Sequence, residues 1–257
     1  VIVQIYEIQT PDEAEQMITL GVDHVGSVLV SREAWRQPEI RDTVRAVQAA
    51  GRVSSLIPLF SDFDGLARAL DYYRPDIVHF CEALPLGAAG RGRLAALVAG
   101  QRRVREAFGE IRIMRSIPVP ANGRGRSADI LGLAQAFESV SDYFLTDTLL
   151  APEAGGAGEK EPVKGFVGIT GCTCSWAIAR RLVAASARPV ILAGGLSPEN
   201  VAAGIRRVRP AGVDSCTLTN TAGADGRPVR FKKDRQRVGR FVRLARQTAA
   251  AVAQDGV

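Results

Sequence analysis

The chain has 257 residues, is 46% hydrophobic and carries a formal net charge of +6 from 33 basic and 27 acidic residues. That length holds one large domain or two small ones and can bury a full core. No run approaches the ~18 apolar residues needed to span a bilayer, and acidic helix sequence follows the first strand at once, so a cytoplasmic protein without a membrane partner is expected.

The elements alternate along the whole chain. Val1–Ile8 reads as a strand. A helix follows with Thr10 as N-cap, Pro11 at N1 and Glu13 at N3, a capping box. "DHVGSVLV" is predicted as strand and "PEIRDTVRAVQAAG" as helix; "VSSLIPLF" is strand and "FDGLARALDYY" helix. "DIVHFCE" is strand, and Arg91 to Phe108 is helical. "IRIMRSIPV" is strand, and "SADILGLAQAFESV" is a helix capped by Ser127. "DYFLTDT" is strand and "SWAIARRLVAAS" helix; "PVILAGG" is strand and "SPENVAAGIRRV" helix, starting at Ser197-Pro198. "GVDSCTL" is strand, and a long basic helix closes the chain. These strand–helix pairs match the count and size of a (β/α)8 TIM barrel, a single domain over 1–257. A doubly wound sheet would carry a glycine fingerprint after its first strand, and "YEIQTPDEA" has no glycine. A long loop, 149–170, follows strand six; its segment "APEAGGAGEKEPVKG" reads as mobile.

In a barrel, chemistry gathers at the carboxyl ends of the strands, and phosphate sites favour the loops after strands seven and eight. Gly194 and Gly195 in "VILAGGLSPENV" bare the backbone at such a point. They fit a phosphate cradle better than a plain turn. The positive charge suits a small anionic substrate. No nucleic-acid partner is expected. Only four basic residues are lysines (Lys160, Lys164, Lys232, Lys233), and the stacking aromatics that accompany nucleic-acid patches are missing. The densest basic run, "RFKKDRQRVGRFVRLAR", carries Val238, Phe241, Val242 and Ala245 on one stripe, a docked helix with a solvated basic face.

Several segments together resemble the phosphoribosylanthranilate isomerase family. They are "VQIYEIQTPDEAEQMITLGVDHVGSVL", "DIVHFCE", "DYFLTDT", "GITGCTCSW", "VILAGGLSPENVAAGIRRVRPAGVD" and the "KKDRQRVGRFVRLAR" end. The resemblance implies a cofactor-free aldose–ketose isomerase of tryptophan biosynthesis, monomeric or homodimeric, acting on a phosphorylated substrate. It implies that Asp147 in "LTDT" is the general acid and that Arg36 in "AWRQPE" contacts the anthranilate carboxylate. It further implies that Gly168, Thr170 and Gly171 of loop six belong to the site, with Gly194 and Gly195 at the phosphate.

The chain departs from the family at the first strand. "QIYE" stands where K-I-C-G is expected, so Tyr6 replaces the basic cysteine and Glu7 the glycine. Tyrosine, with a pKa near ~10, is a poor base at neutral pH. Tyr6, Glu7, Cys81 and Glu82 are therefore the candidate replacements, with alternation pointing Tyr6 rather than Glu7 inward. Cys172 replaces a lysine in loop six, and "SCTLTN", with Thr217, replaces a serine- and glycine-rich stretch in strand eight. Arg115 in "IMRSI" is expected to point into the barrel toward a carboxylate or phosphate; the alternative is outward, beneath a helix. His79 is read as a hydrogen-bonded core residue and His24 as structural, away from the chemistry. Reduced thiols are expected. No metal is assigned, although Cys81, Cys172, Cys174 and Cys216 all map to the catalytic face and leave a zinc or iron–sulfur site as a rival reading. A further rival is a binding protein that keeps the cradle and has lost the base.

Overall fold

The computed structural model describes residues 1–85, 87–121, 127–150, 165–168 and 170–254. Eight parallel strands close into a barrel in chain order: β1 (Ile2–Ile5), β2 (His24–Leu29), β3 (Val53–Pro58), β4 (Ile77–Phe80), β5 (Arg112–Pro120), β6 (Tyr143–Leu149), β7 (Val190–Leu192) and β8 (Gly212–Ser215). β8 returns to pair with β1, in register from Ile2↔Gly212 to Ile5↔Ser215. Helices α1 (Pro11–Thr19), α2 (Pro38–Ala49), α3 (Phe63–Tyr73), α4 (Arg91–Ala107), α5 (Ser127–Phe137), α6 (Trp176–Ala185), α7 (Val201–Val208) and α8 (Arg235–Gln254) follow the strands. Among the described residues, no helix is long and apolar enough to cross a membrane.

Local chemistry sets the helix boundaries. At α1 the Glu13 N–H donates to Thr10 Oγ1 at 3.2 Å while Glu13 Oε2 accepts from the Gln9 N–H at 3.1 Å. This closes the capping box one residue further out than its usual form. Asp62 caps α3 through the Gly65 N–H at 2.9 Å. Several boundaries differ from the sequence expectation. The first strand is shorter, because Glu7 turns into the left-handed region (φ 63°). Ser197–Asn200 forms a separate turn before α7, held by Ser197 N–H to Asn200 Oδ1 at 2.9 Å. Strand eight stops at Ser215, followed by a 3-10 turn, Thr217–Thr219. An antiparallel hairpin of β9 (Asn220–Ala222) and β10 (Pro228–Lys233) then precedes α8. The run "RFKK" thus belongs to a strand, and α8 begins only after Asp234, whose Oδ1 accepts from the N–H groups of Gln236 and Arg237 at 2.9 and 3.0 Å. The loop segment 151–164 lies outside the described residues.

Alternation along each strand divides the core in two. Val3, Ile5, Val213 and Leu192 face outward and pack with helix residues such as Phe137, Val238 and Phe241. Tyr6, Ile77, Met114, Leu145, Ile191 and Ala193 pack together inside the ring. Polar side chains share that interior and are paired there, as burial requires. Gln4 Nε2 donates to Asp214 Oδ1 (3.1 Å), and His24 Nδ1 lies 3.2 Å from Gln4 Oε1. His79 Nε2 lies 2.9 Å from Ser116 Oγ.

The Tyr6 ring fits because β2 supplies a glycine opposite it. A Cβ at Gly26 would sit 2.0 Å from Tyr6 Cδ1. Gly26→Ala is therefore expected to destabilise the barrel by about 1–3 kcal/mol through overpacking. Urea unfolding checks this, and removing the ring in Gly26→Ala/Tyr6→Ala should abolish the clash component.

Candidate active site

A pocket opens at the carboxyl ends of the strands. Val28, Ile57, Leu59, Leu145 and Phe166 make one wall apolar. Asp147, Glu7, Asp214 and the backbones after β6, β7 and β8 supply the polar remainder. Of the expected site residues, Tyr6, Glu7, Cys81, Asp147, Gly168, Thr170, Gly171, Gly194, Gly195 and Thr217 all line this pocket.

The glycines after β7 answer to backbone packing as well as to conformation. Gly194 and Gly195 hold φ of 91° and 54°. A Cβ at Gly194 would meet Thr148 Oγ1 at 2.2 Å, and one at Gly195 would meet the Cys172 carbonyl carbon at 2.5 Å. Loop seven can thus lie directly on the returning strand of loop six only without side chains. Thr148 Oγ1 donates to the Cys172 carbonyl at 2.7 Å, and Asn200 Nδ2 to the Gly195 carbonyl at 2.8 Å, which hold the two loops. Across from them, the first N–H groups of the Thr217–Thr219 turn have no acceptor within their own helix.

Asp147 stands at the end of β6, with its Oδ1 accepting from the Thr148 N–H at 2.9 Å. Gly168 of loop six crosses over it so closely that a Cβ would lie 2.4 Å from Asp147 Oδ2. Tyr6 points inward, as alternation requires. Its hydroxyl lies 2.6 Å from Ser55 Oγ and 2.8 Å from His79 Nδ1. Burial pushes the Tyr6 pKa well above its ordinary value and lowers that of His79 to about 3, so both stay neutral. Glu7 is different. Burial alone would raise its pKa, but Lys233 and Arg230 outweigh it and hold the carboxyl below the usual range. Its oxygens take Arg230 Nε at 2.7 Å and the Phe231 N–H at 3.3 Å, so Glu7 is spent on the β9–β10 hairpin.

Three expectations fail on placement. Arg115 points outward, not into the barrel; it is 1% exposed, ion-paired with Glu82, and its guanidinium lies 4.5 Å from the Phe137 ring of α5. The parity of β5 explains this, since its neighbour Ser116 takes the inward position beside His79. Glu82 is drawn out with Arg115 and does not line the pocket. The backbone on either side of it still serves the site: Val167 N–H donates to Cys81 O (2.9 Å) and Ala83 N–H to Gly165 O (2.8 Å), anchoring the return of loop six. Arg36 is exposed and stacks 5.2 Å from the Tyr72 ring, outside the pocket, because the turn after β2 carries it to the α2–α3 face. The cysteines do not form a ligand set. Among the described residues no group of three or more His, Cys, Asp and Glu is placed to hold a metal ion. Cys174 is buried with Sγ 3.5 Å from the Ala193 carbonyl, and burial pushes its pKa up to about 12.

One site residue escaped the sequence reading. Asp214 of β8 lines the pocket floor, and burial raises its carboxyl to about 7. The signal was its place in "GVDSCTL", where the inward parity of strand eight puts it beside β1.

The fold and this rim define a (β/α)8 barrel with an acidic group opposite a bare-backbone cradle. The family model for N-(5'phosphoribosyl)anthranilate (PRA) isomerase matches residues 110–224. N-(5'-phosphoribosyl)anthranilate isomerase 2 of Methanosarcina mazei is 37% identical over 144 residues, 56% of this chain and 53% of that protein. The N-(5'-phosphoribosyl)anthranilate isomerase of Methanosarcina acetivorans is 27% identical over 255 residues, 96% of this chain and 94% of that protein. The crystal structure of phosphoribosyl anthranilate isomerase from Thermotoga maritima superposes with a TM-score of 0.66 at 20% identity, covering 96% of this chain and 99% of that one. The sequence match to the family model thus runs from β5 to β9, and the fold is shared along nearly the whole chain.

The buried Arg115–Glu82 pair makes a separate expectation. Glu82→Ala leaves a desolvated guanidinium uncompensated and should cost about 3–5 kcal/mol. The double variant Arg115→Met/Glu82→Ala should recover part of that loss. Urea unfolding of the three proteins measures both, and a single variant as stable as the parent would contradict it.

Proposed function

We propose that this chain is a phosphoribosylanthranilate isomerase that converts a ribosyl-phosphate arylamine to the corresponding 1-amino-ketose by an acid–base Amadori rearrangement. The observation that carries this reading is that Asp147 and the Gly194–Gly195 backbone line one pocket. The apolar wall of Val28, Ile57, Leu59 and Phe166 accommodates an aromatic ring. Loops seven and eight hold the phosphate through backbone N–H groups.

Asp147 donates a proton to the ring oxygen. The C1–O bond breaks and the amine lone pair forms a C1=N iminium. A base then removes the C2 proton, and that electron pair forms C1=C2 and neutralises the nitrogen. The enol tautomerises to the ketone, with a proton added at C1. Tyr6 does not serve as the base, since its hydroxyl is held by Ser55 and His79 and stays protonated. It shapes the floor under the sugar instead.

Restoring growth of a tryptophan auxotroph that lacks the isomerase tests the reading, backed by a direct assay. The full chain is expected to support growth, and Asp147→Asn to lower kcat by about 10²–10⁴, the usual worth of one positioned acid. A chain that binds inorganic phosphate in a thermal-shift assay but neither isomerises nor complements would overturn it in favour of a non-catalytic binder.

A further inference from the structure

The isomerisation proposed above requires a base at C2, and the pocket offers few. Tyr6 and His79 hold each other and two serines. Burial pushes the Cys81 and Cys216 thiols well above their ordinary range. The Glu7 carboxylate is committed to Arg230 and the hairpin backbone. Asp214 is differently placed. It keeps 7% exposure and lines the pocket. Its Oδ1 accepts one hydrogen bond, from Gln4 Nε2 at 3.1 Å, and among the described residues no donor reaches its Oδ2. It also pairs in register with Gln4 on β1, so it lies one strand across from the inward column that ends in Tyr6.

We infer that Asp214 is the catalytic base of this enzyme, taking the C2 proton from β8 in place of a group on β1. The inference rests on the isomerase reading. The carboxylate accepts the C2 proton as the C–H electron pair becomes C1=C2. The acid so formed returns that proton to C1, while the C2 hydroxyl proton leaves to solvent as the ketone forms, and Asp147 regains its own proton from solvent. No oxidant or cofactor enters.

The surroundings suit a group that must both take and give a proton near neutrality. Burial raises the carboxyl, while Gln4 and Lys233 pull it back, to about 7. The other titratable neighbours are Tyr6 and Cys216, both neutral, and His24 behind Gln4, whose pKa burial lowers to about 4. The catalytic form is the carboxylate, so activity rises with pH through about 7. Stability runs the other way. The folded pKa lies above the ~3.9 of an unfolded aspartate, so the native state binds the extra proton between those values. The Asp214 contribution to stability is thus present at low pH and lost as pH climbs through about 7.

The test compares the full-length parent with Asp214→Asn and Asp214→Ala in steady-state assays across pH. The parent should show a rising limb in kcat/KM centred near 7. Asp214→Asn should lose about 10²–10⁴ in kcat, keep KM within a few fold, and lose that limb. Formate should partly restore Asp214→Ala. Thermal unfolding at pH 8 should find Asp214→Asn no less stable than the parent, which separates lost chemistry from lost structure. If the parent isomerises and Asp214→Asn keeps kcat within threefold, or keeps the limb, Asp214 is not the base and the isomerase reading survives. If the parent does not isomerise, both fall.

Discussion

The seam between β8 and β1 is the constraint on which the rest of the molecule depends. Register from Ile2↔Gly212 to Ile5↔Ser215 closes the ring, and closure assigns every side chain to the interior or to the helix layer. The seam is tight: a Cβ at Gly212 would lie 2.9 Å from Ile2 Cβ. Because side chains alternate with a period of two, a slip of one residue would send Tyr6 and Asp214 out under the helices and bring Ile5 and Val213 in. The seam therefore sets both the core and the pocket floor.

The floor is built of polar groups that neutralise one another rather than of charges left to water. Tyr6, Ser55, His79 and Ser116 form a chain of hydrogen bonds across β1, β3, β4 and β5. A buried network of this kind stabilises only when all its members are paired. Gly26 makes it possible, since the ring that carries the Tyr6 hydroxyl needs the volume a side chain on β2 would occupy. The two acids Glu7 and Asp214 of the pocket divide by environment. Glu7 is surrounded by cations and stays ionised, whereas Asp214 is buried with one amide partner and is held near neutrality. Two acids on one pocket wall thus acquire different chemistry from position alone.

The hairpin β9–β10 shows how one strained residue organises a rim. Glu7 adopts φ 63°, a conformation that costs a non-glycine residue about 1–3 kcal/mol. Its carboxylate offsets that cost by gathering Arg230 and the Phe231 N–H. Lys233 in turn donates to the Cys216 carbonyl at 2.8 Å, so the hairpin also braces the loop after β8.

The barrel, its strand–helix alternation, the α1 capping box and the rim positions of Asp147, Gly194 and Gly195 were determined by the sequence alone. Each rests on a local signal: a hydrophobic period, a capping pattern, or glycines at a strand end. The pairing of Arg115 with Glu82, the stacking of Arg36 on Tyr72, and the placing of Asp214 on the pocket floor were decided only in the tertiary structure. The physical reason is parity. Strands such as "IRIMRSIPV" bury both faces and carry no polar alternation to set their phase, so which residue faces the pocket is known only once neighbouring strands lock the register. The hairpin stayed hidden because its basic strand has the composition of the helix that follows it. The ion pair between Arg230 and Glu7, more than two hundred residues apart in the chain, helps to hold it against the barrel.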